Sequence, residues 1–159
     1  MAKQETKTNA MRILEAQGIA YTHYEYECDE FTDGSETADR LGLAHEEVFK
    51  TLVAVGNDGQ HYVYVIPVDE SLDLKKCARV SGVKAVQLIH VKELFPLTGY
   101  VRGGCTAIGM KKAFPVWIDE TAQLFDRIYV SGGKIGCQLH LAPDDLARAA
   151  NASYADLTE

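Results

Sequence analysis

Three stretches of this chain place polar groups where they could act on a carbonyl. The longest is Gly99-Tyr100-Val101-Arg102-Gly103-Gly104-Cys105-Thr106-Ala107-Ile108-Gly109-Met110-Lys111-Lys112, with glycines at 99, 103, 104 and 109 and two closing lysines. Glycine serves where backbone must bend or approach something closely, and bare N–H groups there can point at a carbonyl or phosphate oxygen. Taken alone, such a cluster reads as a bulged, tightly packed strand pair. Two further clusters tip the balance toward a site. Val48-Phe49-Lys50-Thr51-Leu52 sets a lysine inside an apolar run, and Ser131-Gly132-Gly133-Lys134-Ile135-Gly136 is a second glycine turn. A lysine like Lys50 ordinarily packs its stem and keeps its head wet. Facing a cleft, it could orient a carbonyl or donate a proton.

Glycine amides, one lysine and the small hydroxyls of Thr51, Thr106 and Ser131 can bind and polarise an ester or carbonyl. They supply no obvious attacking group. No G-x-S-x-G elbow is present, and the glycines fit neither the dinucleotide nor the Walker spacing. A Ser-His-Asp or Cys-His constellation assembled from distant positions is left open by spacing alone. Cys105 could be a nucleophile only beside a base or cation, and the reading favoured here packs it under the glycine turn. The four cysteines, Cys28, Cys77, Cys105 and Cys137, form no C-x-x-C, and with five scattered histidines they give no zinc-ligand spacing. No metal, cofactor or structural disulfide is expected. Cys77 and Cys137 fall at apolar positions and are expected to be small core residues.

The rest of the chain must position these groups. Its 159 residues suffice for one domain, 1–159, with 47% hydrophobic and 25% charged residues. No apolar run reaches the roughly 18–20 residues of a membrane span, and the first residues lack the apolar core of a signal peptide. The expected location is the cytoplasm. A net charge of −7 argues against broad, sequence-independent nucleic-acid binding, DNA included, but allows a local basic mouth. Lys50, Lys75, Lys76, Arg79, Lys84, Arg102, Lys111, Lys112 and Lys134 all lie in the central and later chain.

Thr8 can cap a helix running to Gln17, and Ala20–Tyr26 alternates like a strand. Cys28–Gly34 is turn-rich, and Ser35 opens a second helix, Glu36–Leu41. Val48–Val55 and His61–Pro67 flank Gly56-Asn57-Asp58-Gly59 as a β-hairpin. Asp73 caps a helix to Val80 with Leu74 inward. Val86–Ile89 reads as a strand, and Val91–Phe95 as a helical turn ending before Pro96. The glycine-rich stretch is expected to pair with Pro115–Asp119. Glu120–Phe125 reads as a helix and Arg127–Val130 as a strand, while Ile135, Cys137, Leu139 and Leu141 alternate as a half-buried strand. Pro143 opens a closing helix to Ala150, after which Ser153–Glu159 looks frayed. About seven strands with short helices between them predict a mixed α+β domain with a curled, barrel-like sheet.

The three clusters, in this order and covering about Lys7 to Leu146, resemble the YbaK/EbsC family, stand-alone relatives of the editing domain of bacterial prolyl-tRNA synthetases. Lys7-Thr8-Asn9-Ala10 resembles the YbaK branch in particular. The resemblance implies an aminoacyl-tRNA deacylase that removes cysteine from Cys-tRNA(Pro), and from Cys-tRNA(Cys) as well, without a cofactor. It further implies that the substrate thiol attacks its own ester while the protein holds the pose and stabilises the oxyanion. On this reading Lys50 is the key lysine, with Thr51 beside it. Gly103 and Gly104 line the carbonyl with N–H groups, Ser131 and Gly133 complete the pocket, and Tyr24 forms a wall. The implied partners are the acceptor end of the tRNA and a prolyl-tRNA synthetase. Three departures bear on specificity: Ala107 in place of a common proline, Ile135 of an arginine, and Gln138 of a frequent aspartate. Two alternatives stand beside this: a non-catalytic module that binds aminoacyl-tRNA or a synthetase, motivated by the missing general base and the three departures, and a water-using deacylase of Ala- or Ser-charged tRNA, which would cleave a substrate without a thiol.

Overall fold

The structure, a computed structural model, describes residues 7–26 and 34–159. The turn-rich reading of Cys28–Gly34 lies outside the described residues except at Gly34, where α2 begins. Hydrophobic pattern sets the framework. In the hairpin of β2 (Phe49–Gly56) and β3 (His61–Pro67), Val63 and Val65 face one apolar cluster. Tyr62, Tyr64 and Ile66 face another. β3 is therefore buried on both sides, which explains its unbroken apolar run. β4 (Val86–Leu88), β5 (Val116–Asp119) and β8 (Ala152–Ala155) complete a five-stranded sheet in the order β4-β2-β3-β5-β8.

A second sheet of three strands orders β1 (Thr22–Glu25), β7 (Cys137–Leu141) and β6 (Ile128–Ser131) as β1-β7-β6. Its apolar residues, among them Ile128, Val130, Leu139 and Leu141, share the main core with Phe49, Val53 and Ile118 of the first sheet. Met11 and Leu14 of α1 (Asn9–Ala16) enter the same core, with Thr8 Oγ1 accepting the Met11 N–H at 3.2 Å. α3 (Leu74–Ser81) covers the other face of the five-stranded sheet. Asp73 caps it, accepting the N–H groups of Lys75 and Lys76. The mixed α+β architecture is as expected, but the barrel-like sheet is not. Neither sheet closes, because β4 and β8 are open edges of the larger one. A single parallel bridge, Val48 to Tyr129, links the two sheets.

Other local readings need correction. The glycine-rich stretch forms no strand, and β5 instead pairs in parallel with β3 and β8. Helix α4 (Val91–Thr98) runs through Pro96. Thr98 Oγ1 donates to the Leu94 carbonyl and Gly99, at φ +83°, ends the helix. Leu74, expected inward, is 43% exposed. Glu120–Leu124 is a 3₁₀ turn. The closing helix is α5 (Pro143–Ala150), and the tail beyond it is held. β8 pairs with β5, Leu157 is fully buried, and its N–H donates to the buried Asp119 carboxylate at 3.0 Å. An isolated reading of polar Ser153–Glu159 misses this, because its strand partner β5 lies 36 residues away.

Candidate active site

The site follows from where β4 stops. β4 pairs with β2 only at Ala54, Val55 and Gly56, and β6 meets its start only at the Val48–Tyr129 bridge, so among the described residues the stretch between pairs with no strand on that edge. There a cleft of about 480 Å³ opens between the two sheets. Its floor is Val48–Val53, and its walls are Ser35 and Thr37 of α2 (Gly34–Leu41), Leu88–Val91 with Leu94, the Arg102–Gly103–Cys105 turn, and Ser131 with Gln138. Val48 and Ile89 show which residues share this edge. The Val48 carbonyl accepts from Val68 on the β3 side, and the Val53 carbonyl accepts from Ile89 on the other. Antiparallel alternation therefore turns the N–H and C=O of Thr51 toward the cleft.

Lys50, Thr51, Gly103 and Ser131 thus line one cavity although they are far apart in sequence. Gly103, at φ +88°, makes no backbone hydrogen bond through its N–H among the described residues. Gly104 is different. Its N–H closes a turn onto the Val101 carbonyl at 2.9 Å, so it is not a free donor as expected. A Cβ there would stand 2.8–2.9 Å from the backbone of Lys134 and Ile135. Glycine at this position lets the two glycine loops touch.

Three other candidates stand back from the cleft. Thr106 is 1% exposed and its hydroxyl accepts from the Ile108 N–H at 3.4 Å, so it supports the turn and does not reach a ligand. Gly133, at φ +99°, packs on the Tyr100 ring and Thr8, and its N–H donates to Ser131 Oγ at 3.4 Å. Tyr24 does not line the cavity. It pairs with Gln138, which pairs with Ser131, so the three side chains share one sheet face. Its ring lies 5.9 Å from that of Tyr129, centroid to centroid.

Of the three departures, Gln138 alone lines the cavity. Ala107 is buried in the main core, and Ile135 abuts Gly104. Burial pushes the Cys105 thiol up to about 12, with a hydrogen bond from Thr98 acting the other way. Such a thiol stays protonated and is a poor nucleophile.

A clamp that the sequence reading missed holds the α2 wall. His45 Nε2 lies 2.7 Å from Asp39, and its Nδ1 lies 2.7 Å from Asp69. Ser35 donates to the same Asp69 carboxylate. Both ring nitrogens face carboxylates, so the ring is cationic, and the bonds to Asp39 first and Asp69 second raise its pKa. Asp69 is lowered by Ser35 and His45, with a smaller contribution from Lys50. A raised folded-state pKa stabilises fully below the ordinary histidine value of about 6.5 and is lost as pH rises through the raised value. The melting-temperature gap between wild type and His45→Ala is therefore expected to be widest near pH 6 and to narrow as pH rises above the ordinary histidine range. A gap that does not change with pH contradicts the clamp.

Among the described residues, His23, Glu25 and Cys137 bring ligand-type atoms within 4.8 Å of one another. Glu25 is already ion-paired to Lys134 at 3.0 Å. These residues lie on the sheet face opposite Tyr24 and Gln138.

Fold and cleft together define a pocket lined by Lys50 and Thr51 of β2, the Gly103 turn and Ser131. The chain matches the Aminoacyl-tRNA editing domain over residues 30–149 and belongs to that family. It is 46% identical over 161 residues to an Enterococcus faecalis protein named "Putative Cys-tRNA(Pro)/Cys-tRNA(Cys) deacylase EbsC", covering 99% of this chain and 98% of that one. YwhH of Bacillus subtilis is 26% identical over 133 residues, covering 80% and 84%. A solved structure described as "a putative trans-editing enzyme for prolyl tRNA synthetase" superposes with a TM-score of 0.81 at 25% identity, covering 97% of this chain and 99% of that one. Among the described residues no helix is long and apolar enough to cross a membrane.

Proposed function

We propose that this protein is a trans-editing aminoacyl-tRNA deacylase that frees cysteine from Cys-tRNA(Pro), and from Cys-tRNA(Cys), by letting the cargo thiol attack its own ester. The observation that supports the reading is the lining of the cleft, which holds Lys50, Thr51, Gly103 and Ser131 and, among the described residues, a Cys105 thiol kept protonated by burial. The S–H proton leaves as sulfur bonds to the ester carbon, and the ester C–O bond breaks toward the ribose oxygen, which takes up a proton; the cyclic thioester so formed is then opened by water to give free cysteine. In this mechanism Gly103 N–H and the edge N–H of Thr51 receive the developing oxyanion, and Lys50 holds the ester and ribose oxygens. Ser131, steadied by Gly133, closes the far side. Gly104 serves as the contact that fixes both loops.

Charge around the cleft supports entry of an RNA end from one side. The α2 wall carries Glu36, Asp39, Glu46, Glu47 and Asp69, while its one helix cation, Arg40, sits over the Tyr26 ring. Opposite lie Lys92, Arg102 and Lys111, with the ammonium of Lys111 5.5 Å from the exposed Phe95 ring. A phosphate backbone is therefore drawn over α4 and repelled from α2. A prolyl-tRNA synthetase is the partner from which the charged tRNA would be received, in the cytoplasm.

Release of cysteine from Cys-tRNA(Pro) by wild type and Cys105→Ala tests the reading. Both are expected to turn over at similar rates, since the attacking sulfur belongs to the substrate. Turnover lost with the fold intact would make Cys105 the nucleophile. Tight binding of charged tRNA with no release by either protein would select a non-catalytic module.

A further inference from the structure

Gln138 is 7% exposed, lines the cleft beside Ser131, and its Oε1 is buried with no hydrogen-bond partner among the described residues. A buried carbonyl-type acceptor left unmade destabilises a fold by far more than its bond would add. The register partners of Gln138 are Tyr24 and Ser131, both carrying hydroxyls on the same face, yet Ser131 Oγ is turned to the Gly133 N–H. An acceptor kept dry and unpaired in the wall of a ligand cleft suits a donor that arrives with the ligand.

The ligand of the proposed reaction offers few such donors. The ester carbonyl is itself an acceptor, and the thiol is a weak donor that must lose its proton. The α-ammonium group is a strong donor with three N–H bonds, and it lies one carbon from the carbonyl held at Gly103 and Thr51. We propose that Gln138 Oε1 binds the α-ammonium of the cargo amino acid. This rests on the deacylase reading of the cleft and adds to it a recognition element for a free amino group. The contact fixes the Cα substituents, so the thiol swings toward the ester carbon. A carboxamide does this without a second negative charge beside the acidic α2 wall.

The test is a cycle between one side chain and one ligand group, read by calorimetry and so independent of turnover. The probes are 3′-deoxy-3′-(cysteinylamino)adenosine, whose amide is not cleaved, and its 3-mercaptopropionyl counterpart lacking the amine. Wild type is expected to bind the first roughly 10- to 100-fold more tightly, the range of a hydrogen bond to a charged group. Gln138→Leu is expected to bind the two alike, and Gln138→Glu to retain the preference. Gln138→Leu should also melt no lower than wild type, because it removes an unsatisfied buried acceptor. Gln138→Met provides a second apolar side chain should leucine disturb the sheet. An amine preference that survives in the apolar variants overturns the assignment, as does equal binding of both probes by wild type. Cleavage of Cys-tRNA(Pro), measured alongside, separates the two readings. Cleavage with no amine preference rejects only the role of Gln138. An amine preference with no cleavage retains that role and rejects the deacylase.

Discussion

Lys50→Ala is expected to slow single-turnover release of cysteine from Cys-tRNA(Pro) by about 10²–10³-fold, the usual consequence of losing one donor to a developing oxyanion. The loss should fall on the chemical step more than on binding, because charge on the ester oxygens grows only as sulfur attacks. Stability should change little. Lys50 is only partly buried, and the strand carrying it pairs with β3 through the backbone from Phe49 to Val55. Its ammonium helps hold the Asp69 carboxyl down, but Ser35 and His45 dominate there and remain in the variant. Lys50→Arg should not restore the rate. A planar guanidinium on a stiffer fork cannot place its charge where a compact ammonium sat. Equal rates for wild type and Lys50→Ala, with matched melting curves, would remove Lys50 from the mechanism.

What the sequence disclosed and what it hid divide along physical lines. The hairpin and the Thr8 and Asp73 caps rest on near-neighbour rules, and the structure has them within a residue or two. The meeting of Lys50, Thr51, Gly103 and Ser131 was legible through the resemblance, since no local rule joins positions eighty residues apart. Elements governed by distant partners were misread. The tail beyond Ser153 is fixed by Asp119 and β5, and the stretch after Gly99 stays a loop because β5 takes β3 and β8 as neighbours. The roles of individual glycines were hidden as well. Gly103 and Gly104 look equivalent in sequence, yet among the described residues the N–H of one makes no backbone hydrogen bond and that of the other closes a turn on Val101. The His45 clamp joins Asp39 and Asp69, six and 24 residues away on opposite sides of it in the chain, so nothing short of coordinates brings them together.

Exchanging the cargo should have an effect at least as large as removing Lys50. The cleft presents amides, an ammonium and hydroxyls, and its own thiol is held protonated by burial. The attacking group therefore has to come from the amino acid on the tRNA. A cysteine thiol is a few per cent ionised near neutral pH and is intrinsically a strong nucleophile, whereas a serine hydroxyl is neither. Pocket size cannot tell the two apart, because they differ by one atom of similar placement and such differences are worth only about 1–3 kcal/mol in binding. Discrimination by attack is far steeper than discrimination by fit. The direct measurement is the single-turnover rate of release from one tRNA(Pro) body charged in parallel with cysteine and with serine. The account predicts release of cysteine at least about 10²-fold faster at saturating protein. Comparable rates for the two cargoes would mean that water or a group of the protein attacks the ester, and the self-attack mechanism would fall.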